Sequence, residues 1–276
     1  MFKIEEVFLK GKKADRDLCE DGLVLSDNYV CVVDGASSSD VSFLDGKKSG
    51  RWICEKICDA LRIMSSNITC LEVLDFINSY ICECYKKEGI YEYLSRNISV
   101  RPCATTAIFC LDRREVVIIG DCQCIMNGEF YKMNNRFDDL MASIRSTINQ
   151  LCLEKGSAEK DIMQRDIGRE CILPGLNKRK IFQNSIINNE FTYYAIDGFS
   201  MPSNGLKCIK IKKNYMPVIL ATDGYPKLYD TLEESETYLK YILREDPLCI
   251  KKFQSTKGLT IGNESFDDRA YIKIRL

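Results

Sequence analysis

The chain has 276 residues, with 39 Lys and Arg against 40 Asp and Glu and a formal net charge of −1, so no global field draws it to nucleic acid or an anionic membrane. It has 45% hydrophobic and 29% charged residues, the make-up of a globular protein, and no histidine. That absence excludes Ser-His-Asp and Cys-His catalysis, His-ligated zinc hydrolysis and phosphohistidine chemistry, and leaves carboxylates, a metal, Lys, Tyr or Cys for any hydrolysis.

Short β-forming runs come first: "KIEEVFL", "GLVLS" and "YVCVV". Two amphipathic helices follow. Residues 47–64 place Trp52, Ile53, Ile57, Leu61 and Met64 at helical spacing, and residues 70–87 do the same with Leu71, Leu74, Ile77 and Ile81. "ATTAIFCL" and "EVVIIGD", separated by "DRR", read as a hairpin, and "QCIMNGEFYKM" as a second that turns at Asn127-Gly128. Residues 138–173 read as helical and charge-rich, and 174–190 as a polar, lid-like irregular segment. The β pattern resumes in "FTYYAI", "LKCIKIK" and "PVILATDG". A helix over 232–244 opens on Thr231 and Glu234 in capping-box spacing, and "RAYIKIRL" is the last strand. Strands that flank helical blocks without β-α-β alternation give an α+β fold, with antiparallel sheets and helices on their outer faces. The chain shows no linker or repeat, so a single domain is expected.

The fifteen cysteines are scattered, with no Cys-x-x-Cys pair, and read as reduced core residues. Apolar runs are too short to span a bilayer, and "MFKIEEVFLKGKK" has no signal-peptide core, which makes the cytoplasm the expected location. Neither Gly-x-x-x-x-Gly-Lys nor Gly-x-Gly-x-x-Gly occurs.

Acidic residues recur where β-runs begin or end. Glu20-Asp21 precedes one, Asp34 and Asp121 close two more, Asp223 closes another, and Asp267-Asp268 precedes the last. An Asp-Gly at a strand end is also ordinary turn chemistry, so each position alone has a bland explanation. Several carboxylates converging on one sheet rim would repel, and a hard divalent cation removes that repulsion; oxygen-only ligands select Mg²⁺ or Mn²⁺.

Five segments taken in order, "RDLCED", "VVDGASS", "ATTAIFCLDRREVVIIGDCQ", "LATDGYPKLYD" and "SFDDRAYIKI", resemble the metal-dependent protein phosphatase 2C family of serine/threonine phosphatases, from about residue 10 to the end. The resemblance implies a four-layer α-β-β-α sandwich of two antiparallel sheets. It implies one domain over 1–276 with a variable helical or flap insertion at about 137–200, where specificity would lie. Two Mn²⁺ or Mg²⁺ ions would activate a water for in-line attack on a phosphoserine or phosphothreonine of a protein substrate. By the same resemblance Asp34 bridges both ions, aided by the Gly35 carbonyl. Asp223 and Asp267 complete one shell, with Asp268 the alternative to Asp267. Asp21, with Glu20 beside it, supports the site from the opposite strand, and Asp121 belongs to a third, weaker site. Arg16 stands where the family has its phosphate-binding arginine. Neither a nucleic acid nor a membrane partner is implied, and a monomer is favoured.

The sequence departs from the family's pattern in places. Ala36 stands where some members have a general-acid His, Ser37-Ser38-Ser39 replaces Gly-Gly, and Gln123 replaces an arginine. These changes support an alternative reading, a phosphatase-like regulatory binding module without catalysis. A haloacid-dehalogenase mechanism fails, because Val32, Ala195 and Ala221 stand where its nucleophilic Asp would be.

Overall fold

A computed structural model describes residues 2–37, 46–187, 189–212 and 216–276; Ser38 and Ser39 of the serine run lie outside them. Among the described residues, ten strands form two antiparallel five-stranded sheets. One sheet holds β2 (Asp21–Leu25), β3 (Tyr29–Ala36), β4 (Cys103–Cys110), β5 (Glu115–Ile119) and β8 (Lys207–Lys210), in that order. The other runs β1 (Lys3–Lys10), β10 (Arg269–Arg275), β9 (Val218–Ala221), β6 (Gln123–Met126) and β7 (Glu129–Tyr131).

The alternation of side chains along each strand builds the layers. In β3, Val30 and Val32 join Ala107, Phe109, Val116 and Ile118 against Leu220 and Ile272 of the other sheet. The intervening Tyr29, Cys31 and Val33 face α1 (Ser49–Ile63) and α2 (Cys70–Lys87), whose Trp52, Ile57, Leu74 and Ile77 cover them. Both faces of the central strands are therefore apolar, which is why their sequences read as unbroken hydrophobic runs. The far side of the second sheet is covered by Tyr225 and Leu228, which pack on Tyr271 and Ile219 beside the start of α7 (Leu232–Glu245). The outcome is the expected sandwich of two sheets between helical layers. No helix among the described residues is long and apolar enough to cross a membrane.

Some expectations change. The block read as helical holds three helices, α4 (Arg136–Glu154), α5 (Glu159–Gln164) and α6 (Ile167–Lys178), after the six-residue α3 (Tyr91–Arg96) earlier in the chain. Residues 174–178, read as irregular, continue α6 through Pro174, and a 3₁₀ turn follows at Arg179–Phe182. "FTYYAI" is not a strand; Tyr193 and Ile196 make only isolated bridges, to Gln183 and Ala104. Its aromatic character comes instead from packing, with Phe191 against Phe137 and Phe182. The cysteines are not all free, because Cys70 at the start of α2 is bonded to Cys208 of β8.

The helical block is tied down from within. Arg145, fully buried on α4, pairs with Asp166 at 2.6 Å and donates to the carbonyls of Leu248, Cys249 and Ser255. Of the basic run 178–180, Arg179 pairs with Asp138 and the buried Lys180 donates to the Arg101 carbonyl, which leaves Lys178 exposed.

Candidate metal centre

Strand ends bring the carboxylates together. Asp34 continues the phase of Val30 and Val32, which face the opposite sheet, and lies directly across from Asp21 in the β2–β3 register. Like charges in such a cross-strand pair destabilise each other. Asp223 follows β9, whose Leu220 shares that inter-sheet face. Asp121 follows Gly120 at the end of β5. Gly120 has φ +76°, and a side chain there would run into Thr105. Glycine thus permits the turn that swings Asp121 inward.

Asp34, Asp121 and Asp223 each offer a carboxylate oxygen, and these oxygens all lie within 4.8 Å of one another. All three are half-buried, and none has an ion-pair partner among the described residues. Thr105 Oγ1 donates to Asp121 at 3.1 Å. Asp21 is buried; it accepts a hydrogen bond from Thr222 Oγ1 at 2.7 Å, and that hydroxyl in turn accepts from the Ala270 amide at 2.8 Å. Burial, followed by the charges of Asp223, Asp21 and Asp121, raises the Asp34 pKa well above the ordinary value. Burial raises Asp21 likewise, although the Thr222 hydrogen bond opposes it. Asp223 is pushed up to about 6, by burial first and by Asp121 next.

Asp267 differs. Its Oδ1 accepts from Lys12 Nζ at 3.2 Å and from the Asp268 amide at 3.0 Å, and its Oδ2 pairs with Lys257. Burial alone would raise its pKa, but Lys257 and Lys12 hold it below the ordinary carboxylate value. Asp268 accepts from the Lys12 amide at 2.7 Å, from Lys12 Nζ at 3.2 Å and from the Glu20 amide at 3.2 Å.

The other expected site residues stand around this core. Gly35 presses against the start of α1, and an added Cβ would come within 2.2 Å of the Gly50 carbonyl oxygen. The Glu20 carboxylate accepts from Ser37 and lies 3.9 Å from Lys48, so it is engaged at the α1 N-terminus. Arg16 is exposed on a 3₁₀ turn (Arg16–Leu18) with no ion pair among the described residues. Gln123 has taken a structural task, donating to the carbonyls of Thr222 at 3.2 Å and Tyr225 at 2.8 Å and so holding the loop that carries Asp223. Sequence reading missed Thr222, Lys12 and Lys257. The hydroxyl of "ATDG" was the one available signal; the lysines sit in polar stretches that give none.

Lys132 and Lys257 act on Asp223 only from beyond ion-pair distance; three carboxylates of like charge, close together and without an ion pair among the described residues, fit a hard divalent cation by donor type and number. A second set, Cys70, Glu115 and Cys208, is equally close, but its two sulfurs are bonded to each other.

No family model matches this chain, and neither does any curated protein. Solved structures similar to it include the catalytic domain of the serine/threonine protein phosphatase PstP in complex with two manganese ions. That match has 10% identity and a TM-score of 0.48, and covers 100% of this chain and 99% of that one. Another is the serine/threonine phosphatase Stp1 from Staphylococcus aureus, with 15% identity, a TM-score of 0.47, and 100% and 95% covered. RsbX in complex with magnesium matches with 12% identity, a TM-score of 0.45, and 100% of both chains covered. Likenesses at these values leave the chemistry of the site to its own residues.

Proposed function

We propose that this chain is a metal-dependent phosphatase of the protein phosphatase 2C type, hydrolysing phosphoserine or phosphothreonine esters on proteins. One observation carries the reading: Asp34, Asp121 and Asp223 leave three different strand ends and place carboxylate oxygens within 4.8 Å of one another with no cation paired to them among the described residues. Mg²⁺ or Mn²⁺ held there would offset their repulsion and acidify a water for attack on phosphorus. Asp34, Asp121 and Asp223 would be the ligands, with the Gly35 carbonyl as a further oxygen. Asp21, fixed by Thr222, would orient the site from the neighbouring strand. Arg16, exposed and without an ion pair among the described residues, would meet the phosphate oxygens with its planar fork of donors. The whole chain would act as one domain, with α4–α6 and the segment to about residue 200 as the part that meets the protein substrate.

A second reading has one feature in its favour. The lysines paired with Asp267 would compete with a metal for an expected ligand, as a phosphatase-like binding module would tolerate. Hydrolysis of p-nitrophenyl phosphate and of a phosphothreonine peptide separates the two. We expect activity that requires Mn²⁺ or Mg²⁺, disappears in EDTA and falls at least about 100-fold in Asp34→Asn, beyond the loss typical of an outer-shell partner. A folded wild type that is inactive with every divalent metal would sink the enzyme reading.

A further inference from the structure

We propose that Lys257 and Lys12 are built-in cations that stand on Asp267 where the two-ion scheme puts an ion shared with Asp34 and Asp223, so that Asp223 is released to a single divalent ion held with Asp34 and Asp121. The inference rests on the metal-centre reading above and deepens it.

The oxygens of Asp267 are already committed. A carboxylate offers about four lone-pair positions, and Asp267 uses three, for Lys12, Lys257 and the Asp268 amide. Asp268 is equally engaged, by both nitrogens of Lys12 and by the Glu20 amide. An ammonium hydrogen-bonded to these oxygens supplies the positive charge that a metal would otherwise bring, and the two compete for the same lone pairs.

Both lysines are held in place by the fold. Lys12 is fixed through its own backbone, its amide on Asp268 and its carbonyl accepting from the Glu264 amide at 2.8 Å. Lys257 sits in a loop that the helical block grips residue by residue. Arg145 of α4 holds the carbonyls of Leu248, Cys249 and Ser255, and Arg169 of α6 donates to the carbonyl of Thr256 at 2.7 Å, one residue before Lys257. The Asp246 carboxylate gathers the amides of residues 250–253 at the start of the same loop. Gly258, the next residue, leaves no room for a side chain, since a Cβ would lie 2.5 Å from the Leu248 carbonyl oxygen and 2.7 Å from Arg145. The helical block therefore holds the loop that brings a cation to Asp267.

The test is the number of Mn²⁺ ions bound at equilibrium, counted by elemental analysis after dialysis and by titration calorimetry. Wild type, Lys257→Arg, the double variant Lys12→Met/Lys257→Met and Asp34→Asn would be compared, with circular dichroism reporting folding. The expected result is one ion for wild type and Lys257→Arg, two for the folded double variant, and none for Asp34→Asn. Two ions in wild type would overturn the proposal while leaving the metal centre standing. One ion in both wild type and a folded double variant would overturn the role given to the lysines. If the double variant does not fold, the wild-type count still decides between one ion and two. No ion in wild type would overturn this proposal and the metal centre together.

Discussion

The acidic rim has two halves, and they solve the same electrostatic problem in opposite ways. Asp34, Asp121 and Asp223 crowd together with no cation paired to them among the described residues, and Asp34 and Asp223 have raised pKa values. Asp267, on the same rim, is neutralised by Lys12 and Lys257 and has a lowered pKa. Buried carboxylates need a counter-charge. One half carries its own in ion pairs, and the other, which feels Lys132 and Lys257 only at longer range, is left for an ion. Proximity of acids in a fold is thus a weak guide to metal binding until their partners have been counted.

The contrast gives measurable consequences, and the largest lies outside the acids. Arg145→Met would leave Asp166 and three loop carbonyls without their shared donor, so urea unfolding should show a loss of about 3 kcal/mol. A loss below about 1 kcal/mol would mean that the loop carrying Lys257 is held by other contacts.

The acids themselves should respond with opposite signs in metal-free protein near neutral pH. Asp267→Asn strands two ammonium groups. Because the Lys257 side chain is 37% exposed, the expected loss is about 2 kcal/mol, less than for a fully buried pair. Asp34→Asn relieves repulsion and should stabilise the apo protein by about 1 kcal/mol while abolishing metal-dependent activity. Equal signs for the two substitutions would erase the distinction between the halves.

The pH dependence divides in the same way. Asp34, Asp21 and Asp223 bind protons more tightly folded than unfolded, so their contribution is present at acid pH and is lost as pH rises through their folded values, about 6 for Asp223. Asp267, with its lowered value, contributes above the ordinary carboxylate range and loses that contribution as pH falls. A divalent ion displaces the protons of the first group, so the rise in melting temperature on adding Mn²⁺ should grow from about pH 5 to about pH 8. A pH-independent rise would place the ion elsewhere.

Legibility followed the physics of each signal. The helix over residues 70–87 could be read from its apolar stripe, which holds its phase, and the capping box of Thr69 and Glu72 fixes its start. The Asn127-Gly128 hairpin was equally plain, with both residues at positive φ. "FTYYAI" misled because β-branched and aromatic residues serve a packed loop as well as a strand. Asp34, Asp121 and Asp223 could be found because each closes a β-forming run, and strand ends on one rim bring such residues together. Lys12 and Lys257 could not, since a lysine in a polar loop is ordinarily a surface residue and only the tertiary fold turns these two onto Asp267.

The central claim is that the three strand-end carboxylates form a divalent cation site. Anomalous diffraction from crystals grown with Mn²⁺ tests it most directly. The expected result is a manganese peak within coordination distance of Asp34, Asp121 and Asp223, absent from Asp34→Asn crystals. No peak there at saturating Mn²⁺ would contradict it.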